Sequence, residues 1–296
     1  MEANQRFPMF FGKHGLRAGW RLLLFLVVAQ LLGVLLFLAV LRPAFQHSMF
    51  AWSPVKLVAL EMWFFLPLLG AAAAMARIEG RDMSVYGLPG RAAFGARFWE
   101  GVLWGLAALS LLLGALRMTG SFYFGQLALH GAEAWRWGCG WALGFVAVAL
   151  FEEYSTRGYP LFTLATGMGF WPAAALFSAL FGLLHAFNPN QNWISLAGDV
   201  LIGLFWCFSL QRTGSLWFAV GFHAAWDWGE TFLYGVPDSG RMADGHLLEP
   251  SFSGPAWLTG GAGGPEGSVL GLPLILLLWL AVAARFPRRT AEQAQA

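Results

Sequence analysis

The chain has 296 residues, of which 58% are hydrophobic and 11% charged, with a net charge of +2 and a mean hydropathy of +0.59. Soluble domains carry about 25% charged residues, so the composition excludes an ordinary soluble enzyme and predicts an all-α, polytopic membrane protein with room for about eight spans of about 20 residues. The small net charge and the lack of a basic stripe argue against nucleic acid as a partner, and two cysteines, Cys139 and Cys207, exclude a disulfide framework or a cysteine-rich zinc site.

In chain order, the first apolar run extends from Leu22 to Val40, interrupted only by Gln30 and Gly33. It is longer than a signal-peptide core, and Arg42 and Pro43 follow it instead of a small-residue cleavage site, so it reads as the first span. Spans are predicted near 20–41, 56–76, 98–116, 137–166, 170–187, 193–211, 214–233 and 268–285. Many of the sixteen tryptophans, among them Trp20, Trp52, Trp99, Trp135, Trp171 and Trp257, fall near span ends, where interfacial belts form. The fourth span is long. Gly167-Met168-Gly169 is its expected end, with Trp171 and Pro172 opening the next helix and Pro160 kinking it on the way.

Eight spans put both termini on one side. With that side cytoplasmic, it receives Arg6, Lys13, Arg17, Arg21, Arg77, Arg81, Arg91, Arg97, Arg212, Arg285, Arg288 and Arg289. The other side holds Arg42, Lys56, Arg117, Arg136 and Arg241, so twelve basic residues face five. This is the positive-inside bias of cytoplasmic termini. No internal repeat suggests the inverted halves of a transporter. The chain therefore divides into residues 1–136 (N-terminal segment and three spans), 137–233 (a four-helix core), 234–267 (a long extracytoplasmic loop) and 268–296 (the last span and tail). The loop exceeds what a connection needs. It reads either as a linker or, through Phe252 and Trp257, as a folded cap.

Ionisable residues within spans are costly and mark functional sites. The fourth span carries Glu152 and Glu153, with Arg157 four residues after Glu153 on the same helical face. Pairing Glu153 with Arg157 leaves Glu152 as the carboxylate poised to take a proton. The fifth span places Phe181 one turn before His185. The seventh carries His223, Asp227 and Glu230, at i, i+4 and i+7 on one face. Asp199 in the sixth span has Arg157 or a histidine as its expected partner. A structural reading is available for each: an ion pair, a hydrogen-bonded core histidine, and polar contacts between helices. His185 lies nearer the outer end of its span than Glu152 does of its own, so tilts or a shifted turn must bring them level.

A buried glutamate beside a histidine can activate water and protonate a leaving amine, and a second histidine with a neighbouring carboxylate or amide can stabilise an oxyanion. No Gly-x-Ser-x-Gly elbow and no His-Glu-x-x-His zincin spacing occur. No cofactor is expected, with zinc on two histidines and a glutamate as the alternative.

Glu152-Glu153-x-x-x-Arg157, Phe181-x-x-x-His185 and His223-x-x-x-Asp227, on successive apolar segments, resemble the CPBP family, the CAAX proteases and bacteriocin-processing enzymes that include the Ras-converting CAAX endopeptidase. The resemblance covers about residues 137–233. It implies an eight-helix intramembrane endopeptidase in which Glu152 and His185 activate water, His223 and Asp227 form the oxyanion site, and Glu153 and Arg157 support them. Asp227 stands where the family often has Asn, so it must be protonated or act by orienting His223. The expected substrate is a membrane-associated peptide or protein, and the short loops and Leu/Ala/Gly-rich spans suggest a prokaryotic inner or plasma membrane. A non-catalytic immunity or partner protein using the same pocket, and a proton-coupled transporter, are the competing readings.

Overall fold

The computed structural model describes residues 9–12, 15–41 and 53–288. Arg6, Lys13, Arg42, Trp52 and Arg289, which enter the reading above, lie outside these residues, as do both termini. The fold is all-α. Its main helices are α1 (Ala18–Leu36), α2 (Pro54–Glu79), α3 (Ala96–Met118), α4 (Gly131–Arg157), α5 (Tyr159–Met168), α6 (Phe170–His185), α7 (Trp193–Thr213), α8 (Trp217–Trp228) and α9 (Gly271–Arg285). Five segments are long and apolar enough to cross a membrane: α1 with its extension, α2, α3, the combined α4–α5 stretch and α7. Helices α6 and α9 are shorter but apolar.

Local chemistry explains the boundaries. Pro54 opens α2 at a position that needs no amide hydrogen, and Gly80 and Gly214 close α2 and α7 in left-handed conformation. Asn192 caps α7 by accepting from the amides of Ile194 and Ser195, while the Ser195 hydroxyl returns to the Asn192 amide. The fourth predicted span is broken, not kinked. Pro160 has no amide hydrogen for the carbonyl one turn earlier, so α4 stops at Arg157 and α5 starts with Pro160 in its first turn. Gly158 makes the junction, where a Cβ would lie 2.5 Å from the Tyr154 carbonyl oxygen.

Helix α1 faces outward: only Phe25 and Ala29 are buried, while Leu23, Leu31 and Leu35 are exposed, as a lipid-facing helix requires. Helix α8 is the opposite. Every residue from Trp217 to Ala225 is buried. It lies against α3 with backbones in contact, because Gly101 and Gly105 on α3 and Gly221 on α8 carry no side chains. A Cβ at Gly101 would come within 2.1 Å of the Phe218 carbonyl oxygen, and one at Gly221 within 2.1 Å of that of Phe98. This is the small-xxx-small packing of membrane helices, and it seats the helix that carries His223.

The 234–267 segment is folded. Ser251–Phe252 pairs antiparallel with Phe122–Tyr123 from the α3–α4 connection, in register Phe122 to Phe252, and Leu248 bridges to Leu127. Phe252 packs on Phe122 at a ring separation of 5.1 Å. The two connections form one cap over this end of the bundle.

Candidate active site

Glu152, Glu153 and Arg157 occupy the last turns of α4, His185 is the final residue of α6, and His223 and Asp227 lie on α8. The height difference expected for His185 disappears when depth is counted from the shared turn at Gly169 instead of from span midpoints. Glu152 is 17 residues before Gly169 (169 − 152) and His185 is 16 after it (185 − 169), so at 1.5 Å per residue the two climb about the same height.

A single buried network follows. The wholly buried Glu153 uses both oxygens: Oε2 accepts from Arg157 Nη1 at 2.9 Å, and Oε1 lies 3.0 Å from His223 Nδ1. An ionised carboxylate only accepts, so His223 donates from Nδ1 and turns Nε2 toward the cavity. There Nε2 stands 3.7 Å from Glu152 Oε2 and 3.4 Å from Asp227 Oδ2. His185 donates from Nδ1 to the Phe181 carbonyl at 2.9 Å, leaving Nε2 3.9 Å from Glu152 Oε2. Glu152 Oε2 itself has no hydrogen-bond partner in the protein, although its side chain keeps 27% of its exposure, into the cavity.

Aromatic rings hold the polar groups in place. Trp206 stacks on His223 with centroids 4.6 Å apart, and Phe181 packs on His185 at 4.2 Å. The Arg157 guanidinium lies 5.0 Å from the Phe181 ring and 5.0 Å from the Trp206 ring while donating from Nε to the Gly203 carbonyl. Its charge is therefore met by one carboxylate, a carbonyl and two ring faces, which buried guanidinium requires. Phe181 thus touches both His185 and Arg157, linking the two halves of the network.

The network faces a cavity of about 470 Å³ whose walls include Glu61, Glu152, His185, Asp199, His223 and Asp227. Asp238, Arg241 and Glu266 of the cap line it too. Asp199 finds neither Arg157 nor a histidine; its Oδ2 is buried without a hydrogen-bond partner. Glu230, at the start of a π-helical stretch over Gly229–Tyr234, does not line the cavity; one of its carboxylate oxygens lies with those of Asp238 and Glu266. Burial lifts the Asp238 and Glu266 carboxyls above the ordinary carboxylate range, and the charges of Asp227 and Glu266 add to this at Asp238. Sequence reading missed Glu61. A lone carboxylate inside the apolar run of α2 was the signal, by the same economy of buried charge that pointed to Glu152.

Fold and site together define a polytopic α-helical membrane protein with a glutamate–histidine centre buried among its helices. Residues 133–229 match the family described as Rce1-like, type II CAAX prenyl endopeptidase, which supports the resemblance to the CAAX proteases over this third of the chain. The matched stretch spans α4 to α8 and contains all four of Glu152, His185, His223 and Asp227. No curated protein and no solved structure matches the chain.

Proposed function

We propose that the protein is an intramembrane endopeptidase that hydrolyses a membrane-associated peptide or protein with a water activated by Glu152 and His185. The observation that carries this reading is the unpartnered Glu152 Oε2, which lies 3.9 Å from His185 Nε2 and 3.7 Å from His223 Nε2. A water bridging Glu152 and His185 gives up one proton as its oxygen bonds to the scissile carbonyl carbon, and the C–N bond breaks as that proton passes to the departing amine. His223 donates from Nε2 to the oxyanion in this scheme. Glu153 stabilises the protonated imidazole from the other nitrogen, and Arg157 keeps Glu153 ionised. Asp227, 3.4 Å from His223 Nε2, orients the ring when ionised and donates to the oxyanion when protonated.

The chemistry is proposed without a resident cofactor. Zinc is the alternative, with Glu152, His185 and His223 as ligands. We place the protein in a prokaryotic inner or plasma membrane, on its short loops and Leu/Ala/Gly-rich spans. Purified protein offered a peptide library tests the reading. Cleavage is expected from wild type, in chelator as well as in its absence, and equal cleavage by Glu152→Ala would sink the assignment of the base.

A further inference from the structure

Glu230, Asp238 and Glu266 lie outside the hydrolytic centre and come from three places in the chain: the outer end of α8, the beginning of the cap and its end. One carboxylate oxygen from each lies within 4.8 Å of the others. Acidic clustering alone says little, but two further features point to a ligand. Glu230 is wholly buried, and neither of its oxygens has a hydrogen-bond partner; the Trp226 indole lies close without meeting hydrogen-bond geometry. Asp199, on α7, has another buried oxygen without a hydrogen-bond partner, in the wall of the cavity that Asp238 and Glu266 also line.

The other two carboxylates are held by their outer hydrogen bonds. Thr231 Oγ1 donates to Asp238 Oδ2 at 3.2 Å, and both the amide and the hydroxyl of Ser239 donate to Glu266 Oε2, at 3.1 and 3.3 Å. Such supporting donors fix ligand carboxylates in orientation and leave their remaining lone pairs directed inward. The cavity as a whole is short of positive charge. Glu61, Glu152, Asp199, Asp227, Asp238 and Glu266 line it against Lys56 and Arg241.

We propose that Glu230, Asp238 and Glu266 bind a hard divalent cation, calcium fitting best, which fastens both ends of the cap to the outer end of α8. The donor set is all oxygen, as hard cations require. Calcium takes ligands at about 2.3–2.6 Å in flexible geometry, so opposite ligands stand about 4.6–5.2 Å apart, a span that accommodates this cluster. Magnesium demands about 2.0–2.1 Å and near-octahedral order, which carboxylates from three separate elements supply less readily. The Gly240 amide already donates to the Gly263 carbonyl at 3.0 Å, so the two ends of the cap meet beside the cluster. An ion there offsets the repulsion of three carboxylates and converts that meeting point into a clasp. This site is independent of the peptidase reading.

The test uses the purified full chain in detergent, with calcium chloride as the only added ligand. Relative to EDTA, about 5 mM calcium is expected to raise the melting temperature of wild type by on the order of 3 °C, as for an extracellular-type site of roughly 0.1–1 mM affinity. Glu230→Gln and Asp238→Asn are expected to lose most of that shift. In EDTA, Glu230→Gln is expected to melt no lower than wild type, because neither Glu230 oxygen has a hydrogen bond to lose. Tryptophan-sensitised terbium luminescence, displaced by calcium in wild type and absent in the variants, supplies a readout that does not depend on melting. An equal calcium shift in wild type and both variants, or no shift together with no calcium-displaceable terbium signal, overturns the proposal.

Discussion

Two half-buried glutamates on neighbouring helices show how differently one residue type is used. Glu79, at the end of α2, is saturated. Arg21 grips it bidentately, through Nε at 2.9 Å and Nη2 at 2.5 Å, the Tyr159 hydroxyl donates at 2.5 Å, and the Tyr86 hydroxyl donates at 3.2 Å. Glu152, on α4, keeps Oε2 buried with two imidazole nitrogens just beyond hydrogen-bond distance and no partner. A carboxylate whose lone pairs are all taken holds helices together. One with a lone pair left facing a cavity between two histidines is arranged for a reactant.

Substituting the two glutamates should separate the roles. Glu152→Gln is expected to lower peptide hydrolysis by about 10²–10⁴-fold, the usual contribution of general acid–base catalysis, without lowering the melting temperature. A melting temperature well below wild type would make Glu152 structural and dissolve the contrast with Glu79. Asp227 sharpens the comparison within the site. Asp227→Asn keeps the side-chain shape and supplies an amide donor, so activity is expected within about tenfold of wild type, whereas Asp227→Leu is expected to lose about 10²–10³-fold. Equal losses in the two variants would show that the carboxylate itself is required.

Glu153 stands between these extremes, saturated like Glu79 yet one residue from Glu152. It touches both Arg157 and His223, so Glu153→Gln leaves a buried guanidinium without its counter-charge and should cost about 3–5 kcal/mol of stability, measured by chemical unfolding in detergent. Its activity loss is expected to exceed what unfolding explains, because His223 loses the acceptor that orients it. Recovery of full activity wherever the variant is folded would reduce Glu153 to a structural role.

The parts of this design that were legible from sequence share a physical basis. Hydrophobic runs long enough to span lipid, and charges too costly to leave there unused, are local signals; they gave the helices to within a few residues and drew attention to α4, α6 and α8. The relations between helices were not local. That Glu153 reaches His223 follows from α8 packing on α3 through Gly101, Gly105 and Gly221, and no spacing within α4 encodes it. That Glu230 meets Asp238 and Glu266 of the cap instead of lining the cavity is likewise a tertiary relation. Glu61 was readable as an isolated charge in an apolar helix, whereas Glu79, between Arg77 and Arg81 at the helix end, reads as an ordinary terminal charge; only tertiary contacts show that the first faces the cavity and the second ties α1, α2 and α5.

The smallest effects belong to the saturated end. Glu79→Gln removes one charge from a cluster near the end of a span, where water screens part of the loss, and is expected to cost about 1–2 kcal/mol, between the values of exposed and buried pairs. Peptide hydrolysis by the folded variant should match wild type. Two residues beyond the connecting Gly80, Asp82 caps the short turn Met83–Tyr86 by accepting from the Ser84 amide at 2.7 Å. The Ser84 hydrogen bonds hold its carboxyl below the ordinary carboxylate range. Because the folded-state value is the lower one, the cap stabilises fully above the unfolded carboxylate pKa, and that contribution fades as pH falls through the folded value. Asp82→Ala should therefore lower the melting temperature slightly at neutral pH and not at all in strong acid. Since Asp82 is exposed, the neutral-pH shift should be smaller than that of Glu79→Gln. A reversed order would mean that the hydrogen bonds around Glu79 contribute little, and that saturation alone does not make a carboxylate structural.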